Sequence, residues 1–182
     1  MKPLIYLPKI LSLAAFGLLT ARLFAHDDER EHSFQHVPPE LQVPAGNTLS
    51  FHATGVGVQI YVWTPSATDP TQGSWVLKAP HAVLFEHYRE LIGIHFAGPS
   101  WEGNDGSKVV GSRVAGVTVD ADAIPWLLLK AASNSGDGIM SDVTYIQRLR
   151  TVGGLAPATP GMAGQEVLVP YIADYLFYHA AQ

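Results

Sequence analysis

The run His95–Ser107, HFAGPSWEGNDGS, places an imidazole, an indole and two carboxyls within thirteen residues. Asn104-Asp105-Gly106 is a hairpin signal, so Trp101 and Glu102 would flank a tight turn. A carboxyl buried beside an indole is pushed toward its neutral form and could act as a general acid. The competing reading, a solvated Glu102 beside a packing Trp101, is the commoner outcome for such clusters. His95 sits between Ile94 and Phe96 with the opposite strand parity, where a lone histidine is more often packed than ligating. Further along, Gln147 and Arg148 are neighbours in a strand, so one of them must point inward. A buried Arg148 requires a carboxylate, with Asp105, Asp174 and Glu102 as candidates, or else an anionic ligand. Tyr171, Tyr175, Phe177 and Tyr178 would give apolar walls with hydroxyl tips, suited to a small-molecule pocket or to a plain aromatic core. Two function classes follow. One is a pocket enzyme working through Glu102, Asp105, His95 and Arg148. The other, favoured for want of a catalytic motif, is a binding domain using Gln59, Trp101, Arg148, Tyr171 and Tyr175, with a small molecule, a polysaccharide or a surface partner as its target.

Several chemistries are excluded or unsupported. The chain has no cysteine, so disulfides, thiolate catalysis and cysteine-based metal sites are absent. No serine lies in a G-x-S-x-G elbow. His81 and His87 share a parity but belong to no H-x-H or H-E-x-x-H motif, so no metal site is assigned. GVGVQIYVWT, residues 55–64, begins like a dinucleotide-binding turn, but Ile60 stands where its third glycine should be. Tyr61-Val62-Trp63-Thr64-Pro65 then leaves no helix start to receive a pyrophosphate. The segment reads as a strand, and no cofactor is expected.

The elements that must carry these residues are short and alternating. Lys2 and Lys9, the apolar run Ile10–Leu19 and the small residue Ala25 read as a secretory signal over 1–25, cut after Ala25 or, alternatively, Ala21. Cleavage removes three of the eleven basic residues and leaves eight against 16 acidic ones. That balance argues against nucleic acid as a partner, and no later apolar run is long enough to span a bilayer. The domain is therefore expected in the periplasm or the medium. Cleavage after Ala25 would also expose His26, whose amine and ring could chelate copper with a second histidine from the body, such as His52, His81, His87, His95 or His179. The charged HDDEREHSFQH of 26–36 reads as a flexible terminus, which argues against so rigid a site.

From 37 to 182 one β domain is expected. Val56, Val58, Ile60 and Val62 share a face opposite Gly57, Gln59, Tyr61 and Trp63. Other candidate strands are 74–78, 82–86, 91–97, 108–119, 142–150 and 166–178, with 133–138 and 151–165 as Gly- and Pro-rich loops. The apolar run 124–132 suits a helix or a buried strand by periodicity, and Pro125 near its start favours the strand. The pattern predicts an all-β fold, a barrel or sandwich of short, mostly antiparallel strands with long Gly/Pro loops.

In order, Gly55-Val56-Gly57-Val58-Gln59-Ile60-Tyr61, Trp75-Val76 with Ala79-Pro80, His95–Glu102, Asp105-Gly106-Ser107, Ile124–Leu129, Ile146-Gln147-Arg148, Thr151–Gly154 and Tyr171–Tyr178 make a recognisable series. The chain resembles the secreted fungal and bacterial family catalogued as domain of unknown function 3455. The resemblance implies an exported, β-rich domain with no assigned biochemical role. Some members carry a malate dehydrogenase label, which the strand reading of 55–64 does not support. It also implies a cysteine at the position of Trp63 and another soon after the Gly-Gly-x-Ala-Pro segment. Here both are replaced, which suggests that Trp63 packs over the 155–162 loop where relatives would have a disulfide.

Overall fold

The structure, a computed structural model, describes residues 36–69, 72–87 and 89–182, and Pro38–Gln182 form one compact unit. The leader, most of the acidic stretch and His26 lie outside the described residues. A short 3-10 turn, Pro39–Leu41, precedes eight strands: β1 Asn47–Pro65, β2 Gly73–Glu86, β3 Glu90–Phe96, β4 Ser100–Gly103, β5 Lys108–Val117, β6 Trp126–Ser135, β7 Val143–Gly153 and β8 Glu166–Ala180. Each pairs antiparallel with the next, and β8 returns to pair with β1, closing an up-and-down barrel. Closure removes every exposed sheet edge and decides for a barrel over a sandwich. Eight strands enclose a space that side chains nearly fill or that can hold one small ligand.

Some strands are longer than their sequence signals. The segments 74–78 and 82–86 are one strand, because Pro80 is accommodated opposite Gln59 and a bulge near Ile60/Tyr61 absorbs Lys78. Residues 133–135 continue β6 and 151–153 continue β7, so turn-rich composition misplaced both loop starts. In β7 a bulge follows Leu149, with Arg150 at a φ of 46°. The run 124–132 is a strand from Trp126, with Pro125 just ahead of it. Its unbroken apolarity has a direct cause: both its faces are covered. Leu127 and Leu129 face inward, while Leu128 lies in register with Gln147 and Leu176 on a buried outer patch. The N-terminal segment lies over that patch, where Gln147 Nε2 donates to the Leu41 carbonyl at 2.6 Å.

The face of β1 that points inward is not the valine face. Val56 is 41% exposed, whereas Gln59 and Tyr61 on the other face are buried. Gly55 and Gly57 lie on this inner face, and their missing side chains are filled by neighbours. A Cβ on Gly55 would come within 2.6 Å of the Tyr175 ring, and one on Gly57 would overlap the His81 carbonyl and Ala82. The glycines that mimic a cofactor loop serve close approach within the barrel wall.

One end of the barrel is plugged. Phe51 stacks on Phe177 with centroids 4.4 Å apart, and Trp101, Met140, Val143 and Ile146 are buried with them. Asp105 organises this floor. Its Oδ1 accepts from Ser107 N at 2.9 Å and from Ser107 Oγ at 2.6 Å, and its Oδ2 accepts from Ile139 N at 2.8 Å. The Ser107 hydroxyl in turn accepts from Met140 N at 3.0 Å, fixing the buried Met140 in place. These bonds hold the Asp105 carboxyl below the usual carboxylate range.

Candidate functional site

The opposite end is open. The turn 97–99, Ile124 and Pro125 ahead of β6, and the upper parts of β1 and β2 surround a cavity of about 450 Å³, within the range that holds small organic ligands. Leu77, Leu127, Leu129 and Ile124 supply apolar walls, while Gln59, Tyr61, His95 and Arg148 supply polar groups. Strand alternation puts each there. Arg148 shares parity with the buried Ile146, so Gln147 turns outward, accepting from the Tyr178 hydroxyl at 2.7 Å as well as donating to Leu41.

Among the described residues Arg148 does not meet a carboxylate. Its Nε and Nη2 donate to the Pro125 carbonyl at 3.2 and 2.8 Å, and it hydrogen-bonds the Tyr175 hydroxyl. Tyr175 lies 3.1 Å, oxygen to oxygen, from the Tyr171 hydroxyl. Burial raises the pKa of both phenols, so they remain neutral donors and acceptors. These tyrosines form the layer behind the cavity rather than its lining.

His95 is 2% exposed, and burial lowers its pKa to about 3 against the opposing pull of its bond to Ser100. The neutral ring donates from Nδ1 to the Ser100 carbonyl at 2.8 Å, which leaves Nε2 as an acceptor. It stacks on Trp101 at 4.4 Å. Among the described residues Gln59, at 1% exposure, has no hydrogen-bond partner for its Nε2, nor has Trp101 for its Nε1. Buried polar groups are normally paired, and an orphaned donor costs on the order of 1–3 kcal/mol.

The structure separates residues that the sequence groups. Glu102 pairs across from the 39% exposed Ile94, on the outer face, while its neighbour Trp101 faces in. Asp105 is at the floor. Asp174, on the outside of β8, accepts from His52 Nε2 at 2.9 Å and from Thr54 Oγ1 at 3.0 Å, and pairs with Arg150. Burial pushes its pKa up, but the bond from His52 and the Arg150 charge outweigh that, and the carboxyl ends below its usual value. His95 and Arg148 alone of the four proposed acid–base residues line the cavity. The sequence reading missed Ile124, Pro125 and the rim cations Lys78 and Arg113, which sit on bulges and loop ends where alternation fails. Among the described residues no three His, Asp or Glu side chains gather as a metal site would require.

Beyond the mouth, the ends of β1 and β2 meet the loop before β8. Trp63 and Trp75 pack edge to face at 5.4 Å, Trp75 Nε1 donates to the Thr159 carbonyl at 2.9 Å, and Gly161 lies against the Trp75 ring and the Trp63 Cβ. Trp63 N and O bond Gln165 O and Gly164 N at 2.8 and 3.0 Å. Trp63→Ala is expected to lower stability by about 2 kcal/mol through lost aromatic burial; an unchanged urea midpoint would show that the ring does not hold the loop.

Fold and cavity together define a closed eight-stranded up-and-down barrel with a plugged floor and a mouth cavity combining apolar walls with a buried amide and a guanidinium. The chain belongs to the family described as protein of unknown function (DUF3455), whose model matches residues 44–179. No curated protein and no solved structure matches it. Residues 55–64, where a nucleotide loop was in question, lie wholly within β1, and the chain there runs on as strand without a helix.

Proposed function

We propose that this domain binds a small, largely apolar organic molecule in the barrel mouth, and does so outside the cytoplasm. The observation that carries the reading is the buried Gln59 amide in the cavity wall, its Nε2 without a partner among the described residues. A concave cavity of about 450 Å³ supports a small molecule over a polymer. The leader-like residues 1–25 support export. Binding is favoured over acid–base chemistry because His95 loses its proton near pH 3, far from the range in which a general base works well. Glu102 and Asp105, which would have supplied carboxylates, stand elsewhere.

The test is native mass spectrometry of the protein purified from its own source, joined to titration with a hydrophobic fluorescent dye. A co-purifying small molecule displaced by the dye supports the proposal. A bare mass with no dye binding overturns it. Gln59→Leu supplies a second check. If the amide is reserved for a ligand, its removal raises unfolding free energy by roughly 1 kcal/mol while weakening ligand binding. A loss of stability in urea would mean that the amide serves the fold.

A further inference from the structure

Resting on that reading, we infer that the molecule in the mouth carries a single carboxylate, and that Arg148 is the residue that takes it. The chain has a formal net charge of −5, with 16 acidic residues against eleven basic ones. Against that background Lys78, Arg113 and Arg148 all line this one cavity, and among the described residues its lining contains no Asp or Glu. A cluster of cations inside an acidic protein is a local reversal of field that attracts and orients an anion.

The three cations are not equivalent. Lys78 Nζ bonds Glu166 at 2.5 Å, so much of its charge is already matched. Arg113 stands at the exposed rim, its guanidinium lying against Gly116. Arg148 lies further in, between Leu127 on β6 and Tyr175 on β8. Its known partners, the Pro125 carbonyl and the Tyr175 hydroxyl, are both neutral, and they leave guanidinium N–H donors over. A guanidinium held from one edge by a fixed carbonyl is preorganised to present its remaining donors to a planar carboxylate. With Lys78 matched and Arg113 exposed to solvent at the rim, Arg148 is, among the described residues, the one cation set into the cavity wall, which suits a monoanion better than a phosphate dianion. Gln59 Nε2 gives the ligand a second donor to meet, and the apolar walls take its body.

The experiment measures displacement of the bound dye by four probes with the same tail: dodecanoate, dodecyl phosphate, dodecanol and dodecylammonium. The inference expects dodecanoate to bind at least tenfold more tightly than the other three. Arg148→Met keeps the apolar stem and should cost dodecanoate at least tenfold while leaving dodecanol unchanged; Arg148→Lys should restore part of the loss. A dodecanol affinity equal to that of dodecanoate overturns the carboxylate while leaving the binding function standing. Preference for dodecyl phosphate overturns it in favour of a phosphate ester. Failure of the dye and all four probes removes the binding reading itself. If Arg148→Met does not fold, the ranking of the four probes on the unaltered protein decides.

Discussion

Trp101→Ala is expected to lower the unfolding free energy by about 3–5 kcal/mol, the range for emptying a large aromatic site in a core. The indole is 1% exposed and is packed from several sides. It stacks on His95, meets Tyr175 edge to face at 5.6 Å and Phe177 at 6.1 Å, and its ring fills the space that Gly111 leaves open. Those partners are spread over β3, β5 and β8, so the barrel wall cannot collapse inward to close the gap. The cost should therefore fall toward the upper part of the range. Urea denaturation measures it, and Trp101→Phe should recover about half. A loss below 1 kcal/mol would show that the layer between floor and cavity repacks freely. If the alanine variant folds, it should also bind larger apolar probes, because the space vacated lies directly beneath His95.

How far this arrangement was legible in the sequence differs between fold and site. Alternation in 55–64 and 166–178 marked strands correctly, because each face of a barrel strand meets a uniform environment. It could not say which face of β1 points inward. Val56 and Val58 are the apolar choice, yet Gly57, Gln59 and Tyr61 face the interior. The lumen must admit the Tyr175 ring against Gly55 and the β2 backbone against Gly57, so size there outweighs hydropathy.

The site followed the same division. Gln59, His95 and Arg148 were among the candidates because each is a polar residue within a regular strand, but parity left open which face pointed inward, and the barrel turns all three to the cavity. Glu102 was grouped with Trp101 by adjacency, although neighbours in a strand face opposite ways. Lys78 and Arg113 escaped notice because bulges at Ile60/Tyr61 and Arg113/Ala115 break the parity that sequence reasoning uses. The partner of Arg148 was out of reach for another reason. A backbone carbonyl such as that of Pro125 leaves no trace in residue identity, and Asp174 was already engaged by Arg150 and His52.

Acid should destabilise the barrel through His95 well before its carboxylates titrate. In the unfolded chain a histidine titrates near pH 6.5, whereas burial holds His95 neutral down to about pH 3. Below about pH 6.5 the unfolded state binds a proton that the folded state refuses. Stability therefore falls as pH falls, by up to about 1.4 kcal/mol per pH unit, until the folded ring itself protonates near pH 3. Asp174 acts with the same sign over a lower window. Its folded pKa is depressed, so its contribution is complete above the unfolded carboxylate value of about 3.9 and fades below it. The two are separable between pH 6 and pH 4.5. There, the difference in unfolding free energy between wild type and His95→Gln should change by about 1.4 kcal/mol per pH unit, the variant being the less acid-sensitive. Parallel pH profiles would mean that the ring accepts a proton in place. In that case Arg148, Tyr175 and Trp101 around it would have to tolerate an imidazolium, and His95 would regain a place among the groups able to move protons at the mouth.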